Sequence, residues 1–258
     1  MKFGVCCGGD RLRTVQKFNA YSYIEPPLFV VNGMSDKDFL KLCEDVKAHG
    51  MKIEAFNCLF PWDSVLIADG RDLDDLTAYL EKALARASAA GADIVVFGSG
   101  KPRRIPDGMT REEGERRFVE LLRIIGDIAA KNGIRIAIEP LNSDETNLCN
   151  TVAEGIEFCR RAGHPSIGVL CDFYHVFRSG ETLEAIENAG ALLFHAHLAR
   201  ANVDRAMPID DADLEACHAW AAALKKCGYQ GRLSLEGKFD PAFEEAIDKT
   251  RRALALFE

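Results

Sequence analysis

The chain predicts an α/β fold of the (β/α)8 TIM-barrel class, one domain over residues 1–258. Three observations predict it. Short apolar runs alternate with longer amphipathic runs from end to end. Runs such as Asp93-Ile94-Val95-Val96-Phe97 lack polar alternation, as strands covered on both faces of a parallel sheet do. A length of 258 residues with 48 % hydrophobic content suits one barrel-sized domain. A doubly wound open sheet fits less well, because no Gly-x-Gly-x-x-Gly turn follows the first strand.

In chain order the strands read Lys2–Cys7, Ser22–Glu25, Lys52–Asn57, Asp93–Gly98, Arg135–Glu139, Ile167–Asp172, Leu192–Leu198 and Arg232–Glu236. The start, Met1-Lys2-Phe3-Gly4-Val5, reads as a strand and not as a signal peptide. Helix punctuation fills the intervals. Ser35 to Gly50 and Thr151 to Gly163 each run from a capping hydroxyl to a terminal glycine. Thr110-Arg111-Glu112-Glu113 is a capping box, with Phe118, Leu121, Leu122, Ile125 and Ile128 at helical spacing and Gly133 beyond. Asp240-Pro241 offers an N-cap followed by proline at the first helical position. The longest irregular stretches, Asn57–Arg71, Gly98–Met109 and Ala199–Asp210, all follow strands. They therefore belong to the C-terminal face, where barrel enzymes build their sites.

The net charge of −8 argues against a nucleic-acid partner, which needs clustered positive charge. No apolar run approaches the ~20 residues that span a bilayer, so no membrane partner is expected. Nine cysteines without a Cys-x-x-Cys pair read as reduced thiols in a cytoplasmic protein. The vicinal Cys6-Cys7 reads as a small-residue strand end.

Four strand ends carry metal-ligand side chains: Glu139, Asp172, His197 and Glu236. Each is costly to bury unless paired, hydrogen-bonded or metal-bound. Singly, each carboxylate reads equally well as a helix cap or ion-pair partner. Together, on consecutive strands, they should converge at one end of a barrel. Three carboxylates and an imidazole form a hard, oxygen-rich set for one divalent ion. Mn2+ suits it best, and Mg2+, Co2+ or Zn2+ are the other candidates. A structural zinc site would prefer clustered cysteines, which are absent.

The residues around these four are similar to a known family. Glu139-Pro-Leu-Asn142 with Glu145 and Asn150, Asp172-Phe-Tyr-His175, His195-Ala-His197 with Asn202, and Ser234-Leu-Glu236-Gly237 resemble the motifs of the xylose isomerase-like barrels. Within them the likeness is nearest to ketose 3-epimerases of the tagatose/psicose type. It covers most of the chain and is sharpest in the C-terminal half. The resemblance implies Glu139, Asp172, His197 and Glu236 as metal ligands, His175 and an arginine touching substrate, and a homodimer or homotetramer. Where that family has an arginine directly after the asparagine, this chain has Val203; Arg205 follows two residues later and Arg200 competes for the role.

The implied chemistry is proton abstraction next to a carbonyl, through an enediolate, on a small-molecule sugar. A sugar C–H is too weak an acid for a lone carboxylate, so a divalent ion must act as Lewis acid and template. Two flanking carboxylates allow inversion at carbon; one shuttling carboxylate gives aldose–ketose isomerisation. Glu139 and Glu236 are the expected catalytic pair. His175, Glu145, Arg205 and Trp62 are the expected substrate contacts, with Glu145 binding a hydroxyl or orienting His175, and Phe60 beside Trp62 as a second wall. Lys101, Arg103 and Arg104 read as a solvated charge cluster, with a sugar-phosphate site as the alternative. His49, His164 and His218 read as surface residues. Three rival functions stand: a metal-dependent dehydratase or lyase on a cyclitol or keto acid, an apurinic endonuclease-like repair enzyme, and a non-catalytic sugar-binding barrel. The second is disfavoured because the earlier strand ends offer Asn57 and Phe97-Gly98 in place of histidines.

Overall fold

The computed structural model describes residues 1–201, 204–239 and 242–258. Its strands are β1 (Lys2–Val5), β2 (Tyr23–Ile24), β3 (Ala55–Phe56), β4 (Ile94–Phe97), β5 (Arg135–Ile138), β6 (Ile167–Asp172), β7 (Leu193–Leu198), β8 (Ala206–Met207), β9 (Arg232–Leu235) and β10 (Lys238–Phe239). Its helices are α1 (Leu12–Val15), α2 (Leu28–Gly33), α3 (Asp36–Ala48), α4 (Leu73–Ala89), α5 (Arg111–Lys131), α6 (Val152–Ala162), α7 (Phe173–Ser179), α8 (Glu184–Glu187), α9 (Leu214–Cys227) and α10 (Phe243–Leu254).

All strands but β8 and β10 form one parallel sheet in the order β2-β1-β9-β7-β6-β5-β4-β3. Parallel bridges Ile24–Ile53 and Pro27–Asn57 close the seam between β2 and β3, where the Ile24 amide donates to the Lys52 carbonyl at 2.9 Å. The fold is the predicted (β/α)8 barrel, and each predicted strand is present. The strand ends shift because pairing stops before the apolar run does, for example at Val5 where the sequence suggests Cys7. The short ribbon of β8 and β10, within and beside the stretch read as irregular, has no signal in the sequence pattern.

Helix boundaries follow the caps. Ser35, Thr110 and Thr151 each accept from the amide three residues on, and Gly50, Gly133 and Gly163 take positive φ at the helix exits. The box at Thr110 is half made: Glu113 directs its carboxylate to Arg116 and Arg117. Asp240-Pro241, like Asn202 and Val203, lies outside the described residues; α10 begins at Phe243 after Ala242, which supplies no side-chain cap.

Side chains alternate across each strand, and this period of two builds the site. Outward positions such as Val95, Phe97, Ile136 and Ile138 join the main core beneath the helices. Inward Ala55, Ile94, Val96, Ala137 and Leu170 form a separate small cluster inside the barrel. Gly4, Tyr23, His195 and Ser234 complete the barrel interior. One step towards the strand C-termini, the inward positions are Cys6, Glu25, Asn57, Gly98, Glu139, Asp172, His197 and Glu236. Six of these eight bear polar side chains and Cys6 adds a thiol, so the period alone gathers them into one layer.

Two outer features correct the sequence reading. Arg103 is neither solvated nor free for phosphate. It is 0 % exposed, stacks beside Phe97 and Phe118, and donates to the Phe97 and Glu139 carbonyls at 2.9 and 2.5 Å. Its long stem reaches under the 98–109 loop, while Lys101 and Arg104 stay exposed. Phe60 is a core residue, buried against Tyr79 and Phe97 at centroid distances of 5.5 and 5.3 Å, so it cannot wall a pocket. His49 and His164 are half-buried in hydrogen bonds to backbone, and His218 is exposed. No helix of the described residues is long and apolar enough to cross a membrane.

Close packing of the barrel interior is testable at Gly4. A Cβ there would lie 2.2 Å from the ring of Tyr23, which is itself fully buried. Gly4→Ala is therefore expected to cost about 1–3 kcal/mol by overpacking. Urea-unfolding midpoints read this; an unchanged midpoint would show that the Tyr23 ring yields freely.

Candidate metal centre and active site

Each of the four predicted ligands is brought into place by a strand end. Glu139 follows β5 directly, and its amide donates to the Phe97 carbonyl of β4 at 3.3 Å. Gly98 makes room for it: a Cβ at Gly98 would lie 1.9 Å from Glu139 Oε2. Arg103 holds the Glu139 carbonyl from behind. Asp172 ends β6 and divides its oxygens. Oδ1 accepts from the Tyr174 amide at 2.8 Å and caps α7, which leaves Oδ2 facing the barrel axis. His197 lies in β7, and Glu236 follows β9 with its amide bonded to the Leu198 carbonyl at 3.1 Å.

One donor atom from each of Glu139, Asp172, His197 and Glu236 lies within 4.8 Å of the others. His197 Nδ1 stands 2.8 Å from Glu236 Oε2 and 3.5 Å from Glu139 Oε1, yet makes no aligned hydrogen bond. Glu139 Oε1 and His175 Nε2 are likewise buried without a hydrogen-bond partner. The unpartnered Glu139 Oε1 and His197 Nδ1, aimed at one point with Asp172 and Glu236, are what a cation requires, so these four residues fit a divalent ion. Two further groupings share its edge: Cys6 with His197 and Glu236, and Glu25 with His195 and His197.

His175 sits in the first turn of α7, 2 % exposed. Its Nδ1 accepts from the backbone amide and the side-chain Nδ2 of Asn142, both at 3.0 Å. The proton of the neutral ring therefore belongs on Nε2, which points toward Asp172 Oδ2 at 3.9 Å and toward Glu139 and Glu145 at 4.0 Å. Burial pulls its pKa down to about 4, against the pull of Asp172, so the ring is a neutral donor at physiological pH. Asn142, not Glu145, orients His175; Glu145 in turn accepts from Asn142 Nδ2 at 3.0 Å. Asn150 pins the same loop by donating to the Leu141 and Thr146 carbonyls.

The structure separates the two arginine candidates. Arg200 is tied to Asp213 and Asp210 at 2.9 and 3.2 Å. Arg205 enters the carboxylate layer, with Nη2 bonded to Asp172 Oδ2 and Glu236 Oε2 and lying 3.7 Å from Glu139 Oε1. Its guanidinium lies 5.1 Å from the Tyr174 ring centre. Arg205 has φ +59, an uncommon conformation for a side chain of this size, and is held there by Lys238 N–H donating to its carbonyl at 2.8 Å. The ribbon of β8 and β10 thus delivers this side chain. Trp62 is half exposed on the loop after β3, its ring edge-on to Phe29 at 6.4 Å. Among the described residues its ring contact is with Phe29 and not with the carboxylate layer.

The residue that sequence reading missed is Glu25. It is fully buried at the end of β2 and bonded to His195, His197 and Ser234. The signal was present: Glu25-Pro26 closes the second strand as Glu139-Pro140 closes the fifth.

Electrostatics divide the expected catalytic pair. Burial and the Glu236 charge push Glu139 up to about 8. Burial also raises Glu236, but Arg205 and His197 outweigh it and hold that carboxyl at about 2. In the metal-free protein Glu139 thus keeps a proton between about pH 4.5 and 8 that the unfolded chain releases. Stability from this group is present at low pH and is lost as pH rises through that window. Thermal melts of metal-stripped protein from pH 5 to 8.5 should show the decline, and Glu139→Gln should flatten it. Equal slopes in the two proteins would contradict the assignment.

Residues 14–257 match the family described as the xylose isomerase-like TIM barrel. Among curated relatives, a D-psicose 3-epimerase of Agrobacterium fabrum is 26 % identical over 239 residues, covering 88 % of this chain and 78 % of the relative. A probable ketose 3-epimerase of Synechocystis is 28 % identical over 163 residues, covering 62 % of this chain and 55 % of the relative. Among solved structures, a D-psicose 3-epimerase determined in the presence of D-fructose superposes with a TM-score of 0.81 at 22 % identity, covering 99 % of this chain and 97 % of the other. The IOLI protein with a bound zinc atom gives 0.75 at 20 % identity, with 100 % and 98 % covered. With a matching family profile over nearly its whole length and the matching barrel, the chain belongs to the xylose isomerase-like TIM barrel family.

Proposed function

We propose that this chain is a divalent-metal-dependent sugar isomerase/epimerase that inverts a carbon next to the carbonyl of a ketose or related sugar. The observation that carries the reading is the convergence of Glu139, Asp172, His197 and Glu236 in one cation-seeking layer, with the two glutamates on different strands. The relatives' names, ketose and psicose 3-epimerase, support the same class.

Glu139, Asp172, His197 and Glu236 would hold the ion, of which Mn2+ is the best chemical match and Mg2+, Co2+ or Zn2+ the others. Bound there, it would supply a Lewis acid for negative charge developing on the sugar's carbonyl oxygen. Glu236 is the base that removes the proton next to the carbonyl and leaves an enediolate. Glu139, on the opposite flank of the site, is the partner that returns a proton. His175 Nε2–H is placed to donate to a substrate oxygen, in the orientation Asn142 imposes. Glu145 is part exposed and has its affinity for a proton raised by burial, which suits it to a sugar hydroxyl. Arg205 is the substrate arginine in this reading, already among the ligands. Trp62 offers an apolar ring to the sugar from the loop after β3. A cleft of about 690 Å³, lined by Cys6, Cys7, Gly8, Asp10, Gly237 and Phe239 among others, opens beside Glu236 and is the proposed approach.

The surroundings suit a neutral sugar. Arg103 is committed to backbone carbonyls, so the 98–109 loop offers no buried cation for a phosphate. We also propose that the chain acts in the cytoplasm, as a homodimer or homotetramer, with no nucleic-acid or membrane partner.

The test is solvent exchange. Ketoses such as psicose, fructose, tagatose and ribulose are incubated with the metal-loaded protein in D2O. One deuterium at the inverted carbon is expected for an epimerase, and aldose product for an isomerase. Loss of a hydroxyl would favour the dehydratase reading instead. Glu236→Gln should lower exchange by at least 10²-fold with the fold intact, the range for removing a general base. Exchange at the wild-type rate in that variant would remove Glu236 from the base role.

A further inference from the structure

We infer that Glu25 is a positioning residue for His197, and that its carboxylate decides which ring nitrogen faces the metal layer. The inference rests on the metal-site reading above.

Glu25 Oε1 lies 2.9 Å from His197 Nε2, and Oε2 lies 2.8 Å from His195 Nε2. Ser234 Oγ donates to the same Oε2 at 2.5 Å and is itself 2.7 Å from the Tyr23 hydroxyl. An ionised carboxylate only accepts, so all three partners must present protons to it. A neutral His197 ring therefore keeps its proton on Nε2 and leaves Nδ1 as the lone pair a metal would take. That Nδ1 is the buried, unpartnered atom facing Glu139 and Glu236.

The arrangement follows from the barrel register. His195 and His197 are two apart on β7, so both rings point inward, one above the other, at 5.0 Å between centres. Glu25 reaches them from β2 across the barrel interior, and no solvent competes, since Glu25, His195 and His197 are each 0 % exposed. A carboxylate behind a ligand histidine fixes the tautomer and ring angle and makes the imidazole a better donor to metal. Proline at 26 and 27 holds the chain that follows.

Glu25→Gln keeps the shape but offers one acceptor and one donor where three donors converge. Some partner must then meet an N–H, and His197 no longer has a unique proton position. The expected result is a 10- to 100-fold loss of Mn2+ affinity, measured by electron paramagnetic resonance titration without any substrate. A second readout uses Zn2+-loaded protein labelled with ¹⁵N-histidine. Wild type should show one ring with a protonated Nε2 and a metal-shifted Nδ1, and Glu25→Gln should lose or split that signature. Ser234→Ala, which removes a donor and no charge, should keep it. If Glu25→Gln binds Mn2+ as wild type does and keeps the ring signature, Glu25 does not position His197. If Glu25→Gln does not fold, the wild-type spectrum still decides: a metal on Nε2 overturns the inference. If wild type itself binds no Mn2+ or Zn2+, the metal-site reading fails and this one fails with it.

Discussion

Four carboxylates, Glu25, Glu139, Asp172 and Glu236, share one inward layer of a closed barrel, and the rest of the site is arranged to tolerate them. Taking an ionised carboxylate out of water costs several kcal/mol even after relaxation. The register makes the crowding unavoidable, because these are the inward residues at the ends of β2, β5, β6 and β9. Each is answered differently. Glu25 accepts hydrogen bonds from two imidazoles and a hydroxyl below it. Asp172 gives one oxygen to a helix N-terminus. Burial raises the proton affinity of Glu139, and Glu236 takes the guanidinium of Arg205.

Arg205 brings positive charge into the layer. Its Nη2 bridges two of the four proposed ligands and approaches a third, so it supplies positive charge where a divalent cation is called for. Delivering it needs a backbone conformation with φ +59 and the two-strand ribbon of β8 and β10. Behind the layer, Arg103 ties the ends of β4 and β5 through their carbonyls, so that Glu139 has little freedom to drift. The chemistry thus rests on elements that belong to the barrel frame, which is where catalytic precision is best held.

Much of this was legible in the residues. Apolar runs without alternation announced a parallel sheet, and capping hydroxyls with terminal glycines framed α3, α5 and α6. The four strand-end side chains that the structure brings together could be named from strand ends alone. What the residues did not disclose were interactions between elements distant in sequence. Arg103 resembles a surface cation until the Phe97–Phe118 pair is seen to cover it. Phe60 looked like a pocket wall because it neighbours Trp62, yet its ring turns back into the core. Glu25 was passed over because a lone carboxylate at a strand end is ordinary; only the closure of β2 onto β1 and β3 places it under His197. Arg205 and Arg200 could be told apart only by their partners, Asp172 and Glu236 for one and Asp210 and Asp213 for the other.

The central claim is that one layer of strand-end residues binds a single divalent ion. Metal content per chain tests it most directly, by elemental analysis of purified wild type and Glu236→Ala after reconstitution with Mn2+. The account predicts one ion per wild-type chain, lost or weakly held in the variant. Two or three ions per chain would point to a multinuclear, endonuclease-like site. No ion after refilling with Mn2+ or Mg2+ would mean that Arg205 is the resident cation and that the layer serves metal-free chemistry or structure alone.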